Sequence, residues 1–208
     1  MTEDFVEGVR ERNETALSRL GSSKSLYADT EGEMEPEPVL RAAARAEFHA
    51  AETFADWADD EGNGNARGVW EHVASVEGEH YEAVLGELDE EPDLEEVPEI
   101  QQYLRSLDDT VERAGALVGR TLAADKSKEQ MTGFFTGQAD PMTASTFREL
   151  RGDLDDQLER AVDLLEAICE DESDWERAAD AADEAIQVAY EAYTESLEEM
   201  GVNPKPVC

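Results

Sequence analysis

Apolar residues recur along this chain at intervals of three and four, the spacing of one helix face, and nowhere alternate with period two over a strand length. A first segment, about 2–20, sets Phe5, Val9, Ala16, Leu17 and Leu20 on or near one side and stops at Gly21-Ser22-Ser23. The polar stretch 27–37, with Gly32 and Pro36, reads as a linker, and Pro38 falls in the first turn of the next helix, where proline is tolerated. That helix is predicted to reach about Asp60 and to end at Glu61-Gly62-Asn63-Gly64. Another follows over about 66–90, and the short gap makes the two an antiparallel hairpin. Pro92 and Pro98 bracket a connection long enough to cross a bundle; a helix from about Glu99 towards Phe135 comes next, with a break or bend expected near Asp125. The turn 137–141 leads into a helix over about 143–169, and Ser173 or Asp174 is predicted to cap a last long helix ending near Met200 at Gly201. The pattern predicts an all-α fold, with an N-terminal helix and linker over 1–35, a helical bundle over 36–200 and a tail over 201–208.

Polar residues on the apolar stripes carry the candidate chemistry. In the fourth of these segments the inward stripe is Val69, Val73, Val76, His80, Val84 and Leu88, with Glu77 on or beside it. On the preceding helix the stripe Leu40, Ala43, Glu47, Ala50 or Ala51, and Phe54 directs Glu47 inward as well. A carboxylate on an apolar face is costly unless paired or metal-bound. Glu47, Glu77 and His80 therefore form a candidate metal site across one hairpin, read first as a hydrogen-bonded polar cluster and second as the holder of a single Fe, Mn or Zn ion. His49 and His72 lie off the stripes and are expected at the surface. Trp57, Trp70, Trp175, Phe134 and Phe135 are expected in core or interface packing.

The segment 69–80, with Trp70 seven positions before Glu77, resembles the second helix of the rubrerythrin and wider ferritin-like superfamily, and Arg45-Ala46-Glu47-Phe48 resembles its first-helix glutamate region. The resemblance covers about 40–88. It implies a ferritin-like four-helix bundle, here with an additional N- or C-terminal helix, in which one glutamate from each of two helices and a Glu-x-x-His from each of the others hold two iron or manganese ions. Such an architecture repeats internally. Thr146-Phe147-Arg148-Glu149-Leu150 echoes 69–73, but seven and ten residues beyond Phe147 stand Leu154 and Gln157 in place of Glu and His. All three histidines lie in the first half, and the third-helix ligand has only Asp125, Glu129 and Gln130 as candidates, Glu129 being the weak choice carried into the site. A full di-iron site, and with it ferroxidase or peroxidase chemistry, is not expected.

Charge alters the picture of the surroundings more than that of the fold. The chain carries 53 acidic against 17 basic residues, a net charge of −36, with lysine only at Lys24, Lys126, Lys128 and Lys205. The acids interleave with periodic apolar residues along the whole length, so solvated faces in molar salt explain them better than disorder; there self-repulsion is screened over about 3 Å. This composition resembles that of proteins from extremely halophilic archaea, and the chain is similar to relatives there described as transcription antitermination proteins. No clustered basic face offers itself to nucleic acid. Cys169 and Cys208 form no C-x-x-C pair, so neither a structural zinc nor a rubredoxin-type centre has support, and Cys208 is expected to be a frayed, inert end. No apolar run approaches 18 residues, and the N-terminus lacks a basic start followed by an apolar core, so a cytoplasmic, non-membrane location is expected. The expectation is a non-catalytic protein acting through protein partners and pairing as a homodimer, with a rubrerythrin-type metal-binding oxidoreductase or iron-handling protein as the alternative.

Overall fold

A computed structural model describes residues 2–204, which places Cys208 outside the described residues. The described chain is all-helical: α1 (Thr2–Arg12), α2 (Glu14–Leu20), α3 (Ser23–Asp29), α4 (Pro36–Asp60), α5 (Gly64–Leu85), α6 (Glu99–Arg105), α7 (Thr110–Gly137), α8 (Pro141–Gly152), α9 (Leu154–Ile168) and α10 (Glu172–Glu199). None of the described helices is long and apolar enough to cross a membrane.

Local chemistry sets the boundaries. The side chains of Asn63, Asp109, Asp140 and Asp171 accept hydrogen bonds from backbone N–H groups in the first turns of α5, α7, α8 and α10, satisfying donors that a helix start leaves open. The cap of α10 is thus Asp171, two or three residues before the predicted Ser173 or Asp174. Asp109 also explains why the predicted helix 99–135 divides at 106–109, while Asp125 lies in unbroken helix. The predicted helix 143–169 is interrupted at Asp153, and the first segment is interrupted at Asn13, whose amide donates to Val9 O and to Asp183 Oδ1. The linker is partly helical, as α3, before a turn through Glu31 (φ 51°) and Gly32 (φ 88°).

The α4/α5 hairpin packs its stripe inward, and α7 packs against α8 and α9. On its other side α7 is covered by α10, with α2 and α3 beside it, so residues 113–123 are buried without interruption. Two glycines make this closeness achievable: a Cβ on Gly115 would lie 2.0 Å from Ala178 O, and one on Gly119 would lie 2.1 Å from Ala182 O. The segments at both ends of the chain therefore cover one face of α7. Among the described residues the exposed large apolar side chain is Met142.

The interior is two apolar clusters separated by a polar layer. One contains Phe54, Trp57, Trp70, Val73, Leu117 and Ala161, with Trp57 edge-on to both Phe54 and Trp70. The other contains Leu40, Ala43, Val84, Met131, Phe135 and Leu150, with Phe135 stacked on Phe147 at 5.5 Å between ring centroids. Trp175 lies half-buried, edge-on to Phe5, and Phe134 packs on the second cluster. On each of α4, α5, α7 and α8/α9, the residues between the two clusters include a buried polar side chain: Glu47, Glu77 and His80, Lys128, and Gln157, with Arg120 entering the layer from within the first cluster.

A candidate metal centre filled by internal cations

Glu47, Glu77 and His80 do meet. Each presents a ligand atom, and these atoms lie within 4.8 Å of one another in a fully buried position. Such a group can hold a single metal ion.

What surrounds them decides how it is balanced. From α7, Arg120 grips Glu77 with a two-pronged pair of hydrogen bonds, Nη1 donating to Oε1 at 2.7 Å and Nη2 to Oε2 at 2.8 Å. Lys128, two turns along the same helix, donates from Nζ to Glu47 Oε1 at 2.6 Å. Gln157 Nε2 donates to Glu77 Oε1 at 2.7 Å, and its Oε1 accepts from Arg120 Nη1 at 3.3 Å. Leu154 is buried at the start of α9.

His80 bridges the interior and the rim. Its Nε2 lies 3.1 Å from Asp153 Oδ2, at the interruption between α8 and α9, while Nδ1 faces Glu47 Oε2 at 3.6 Å and Glu77 Oε2 at 4.0 Å. Those inner separations are ion-pair contacts and not hydrogen bonds, so Glu47 Oε2 and His80 Nδ1 are buried without a hydrogen-bond partner. Burial alone would push the Glu47 carboxyl up, but Lys128 and His80 overcome it and hold it well below the usual range. For His80, burial pulls the imidazole down and the Glu47 carboxylate more than restores it, so its pKa is raised.

The remaining predicted candidates fall elsewhere. Glu129 is half-exposed, beside Lys126 and Arg151; Asp125 accepts from Arg151; and Gln130 donates to Gly21 O. His72 is partly exposed and pairs with Asp156 at 2.9 Å. His49 is not at the surface as predicted. The connection 86–98 folds back over α4, bringing Leu94 O to within 3.0 Å of His49 Nε2, while Arg105 Nη2 lies 3.3 Å from Nδ1. Burial lowers the His49 pKa, and the neighbouring Arg105 adds to that effect.

Arg120, Lys128 and Asp153 are the members that sequence reasoning missed. Arg120 interrupts the apolar run 114–123, and Lys128 is one of the few lysines, each a signal that a cation is needed inside. Asp153 carried no such signal, because its place depends on the helix interruption.

The donor set does not fit two metal ions. Leu154 cannot ligate, Gln157 is committed to Glu77 and Arg120, and three of the four oxygens of the two glutamates already accept hydrogen bonds from cations. Neither a family model, a curated protein nor a solved structure matches this chain.

Proposed function

We propose that this chain is a non-catalytic helical protein of the ferritin-like, rubrerythrin-related type, acting through its acidic surface on protein partners in a regulatory role such as transcription antitermination. In this reading it is a homodimer in a high-salt cytoplasm. The observation that carries the reading is the pairing of Glu77 with Arg120 and of Glu47 with Lys128, which neutralises the carboxylates that redox metals would need. A group whose ligands already hold guanidinium and ammonium has little charge left to stabilise a di-metal centre. Purified protein offered Fe(II) under air should consume no oxygen beyond the buffer rate and retain no stoichiometric iron. Oxygen uptake coupled to iron loading would overturn the reading. Light scattering in molar KCl tests the pairing of copies.

A second reading has its own support. Glu47 Oε2 and His80 Nδ1 are buried without a hydrogen bond, and His80 can donate from Nε2 to Asp153, the carboxylate–histidine arrangement that often stands behind a metal ligand. In that reading the chain is a metal-binding oxidoreductase or iron-handling protein with one ion. Elemental analysis after native purification in high salt separates the two, since one equivalent of Fe, Mn or Zn selects the second.

A further inference from the structure

The two α7 cations stand on the same carboxylates that would otherwise attract a divalent ion. We infer that Lys128 is an internal plug: the centre is a latent mononuclear transition-metal site, kept closed by the ammonium and opened by its loss. The inference rests on the reading of the native centre as metal-free, and it adds a property of the site that the reading does not require.

The charge balance argues for it. In the buried centre Glu47 and Glu77 face Lys128 and Arg120, two charges against two. One divalent ion in place of the Lys128 ammonium leaves one positive charge over, which Asp153 behind His80 offsets. Adding the same ion without removing Lys128 leaves an excess positive charge in a buried space, where repulsion is weakly screened. Geometry points the same way. Lys128 Nζ sits on Glu47 Oε1 at 2.6 Å, so an ion bound to Oε2 of that carboxylate would lie only a few ångströms from the ammonium. The two atoms without hydrogen bonds, Glu47 Oε2 and His80 Nδ1, belong to opposite helices of the α4/α5 hairpin and face each other at 3.6 Å, with Glu77 Oε2 at 4.0 Å from the same nitrogen. An oxygen and imidazole donor set of this kind suits Co(II) or Zn(II).

The experiment is a titration of wild-type protein, Lys128→Met and Lys128→Met/His80→Phe with Co(II) in molar KCl, followed by calorimetry and by the visible absorption of bound cobalt. Lys128→Met should bind one Co(II) at least about 100-fold more tightly than wild type, and the double variant should lose the gain. Equal binding by wild type and Lys128→Met would overturn the plug and favour a native single-ion site. If Lys128→Met is unfolded without metal, Lys128→Gln, whose amide can still donate to Glu47, replaces it. A folded Lys128→Gln or Lys128→Met that gains no Co(II) also overturns the inference, while the non-catalytic reading stands or falls on its own oxygen assay.

Discussion

The two faces of α7 solve opposite problems. Towards α10, Gly115 and Gly119 remove side chains altogether, so that backbone meets backbone at Ala178 and Ala182. Towards α4 and α5, Arg120 and Lys128 extend two of the largest side chains into the interior to meet two carboxylates. The first contact is held by dispersion and the exclusion of water and tolerates no added volume. The second is held by paired charge and tolerates no unpaired partner. One helix can serve both because its sides are set by residues only a few positions apart: Gly119 and Arg120 are neighbours in sequence and opposite in role.

Breaking the charged face on one side only should have the largest effect. Glu77→Ala leaves Arg120 buried and unpaired and should destabilise the protein by about 3–5 kcal/mol in denaturant titrations. Glu77→Leu combined with Arg120→Met should recover most of that loss, because an apolar pair of similar volume can replace a buried ion pair at little cost. If the double variant is as unstable as the single one, the buried Gln157, which bonds both members of the pair, carries the cost once it is left without them.

Gly115→Ala tests the opposite face. The helices must separate to admit a methyl group whose ideal position is 2.0 Å from a carbonyl oxygen. Overpacking of this kind costs about 1–3 kcal/mol or somewhat more, and the loss should not depend on salt or pH. Gly133→Ala, with open space at its Cβ, is the control expected to leave stability unchanged or raise it by about 1 kcal/mol or less. Gln157→Leu comes next, at about 1–3 kcal/mol, since Glu77 loses a buried donor while keeping Arg120. Least of all should be Arg160→Ala: its pair with Asp156 is roughly half-exposed on both sides and is worth under about 1 kcal/mol.

The two buried histidines give the comparison a pH axis. His80 has a raised pKa, so its contribution is complete below the unfolded value near 6.5 and is lost as pH rises through the folded value. His49 has a lowered pKa, so its contribution is present above 6.5 and is lost as pH falls through the folded value. Denaturant midpoints measured across neutral pH should lose the alkaline decline in His80→Gln and the acid decline in His49→Gln. Ring-proton shifts would place the two titrations directly. Identical titration of both rings would refute the contrast.

Much of this was legible from periodicity. Helical spacing alone put Glu47, Glu77 and His80 on inward stripes, and all three are buried together. That Gln157 donates to Glu77 was not among these expectations. The side of His49 was misread because the connection 86–98 has no periodicity of its own, and nothing local says that it folds back on α4. Asp125, Glu129 and Gln130 are candidates only because the family resemblance implies a ligand on the third helix, whereas that helix supplies cations.

Periodicity and turn chemistry are enough for the helical class, the α4/α5 hairpin and the inward direction of three ligand-type residues. All of these follow from relations within four residues or across a short turn, where backbone geometry leaves few choices. What those residues face depends on packing between distant elements. Arg120 meets Glu77 across 43 positions of chain and Lys128 meets Glu47 across 81, so each pairing depends on the register in which α7 docks against the hairpin. That register comes from packing between elements far apart in the chain, and no local pattern around Glu47 or Glu77 encodes it.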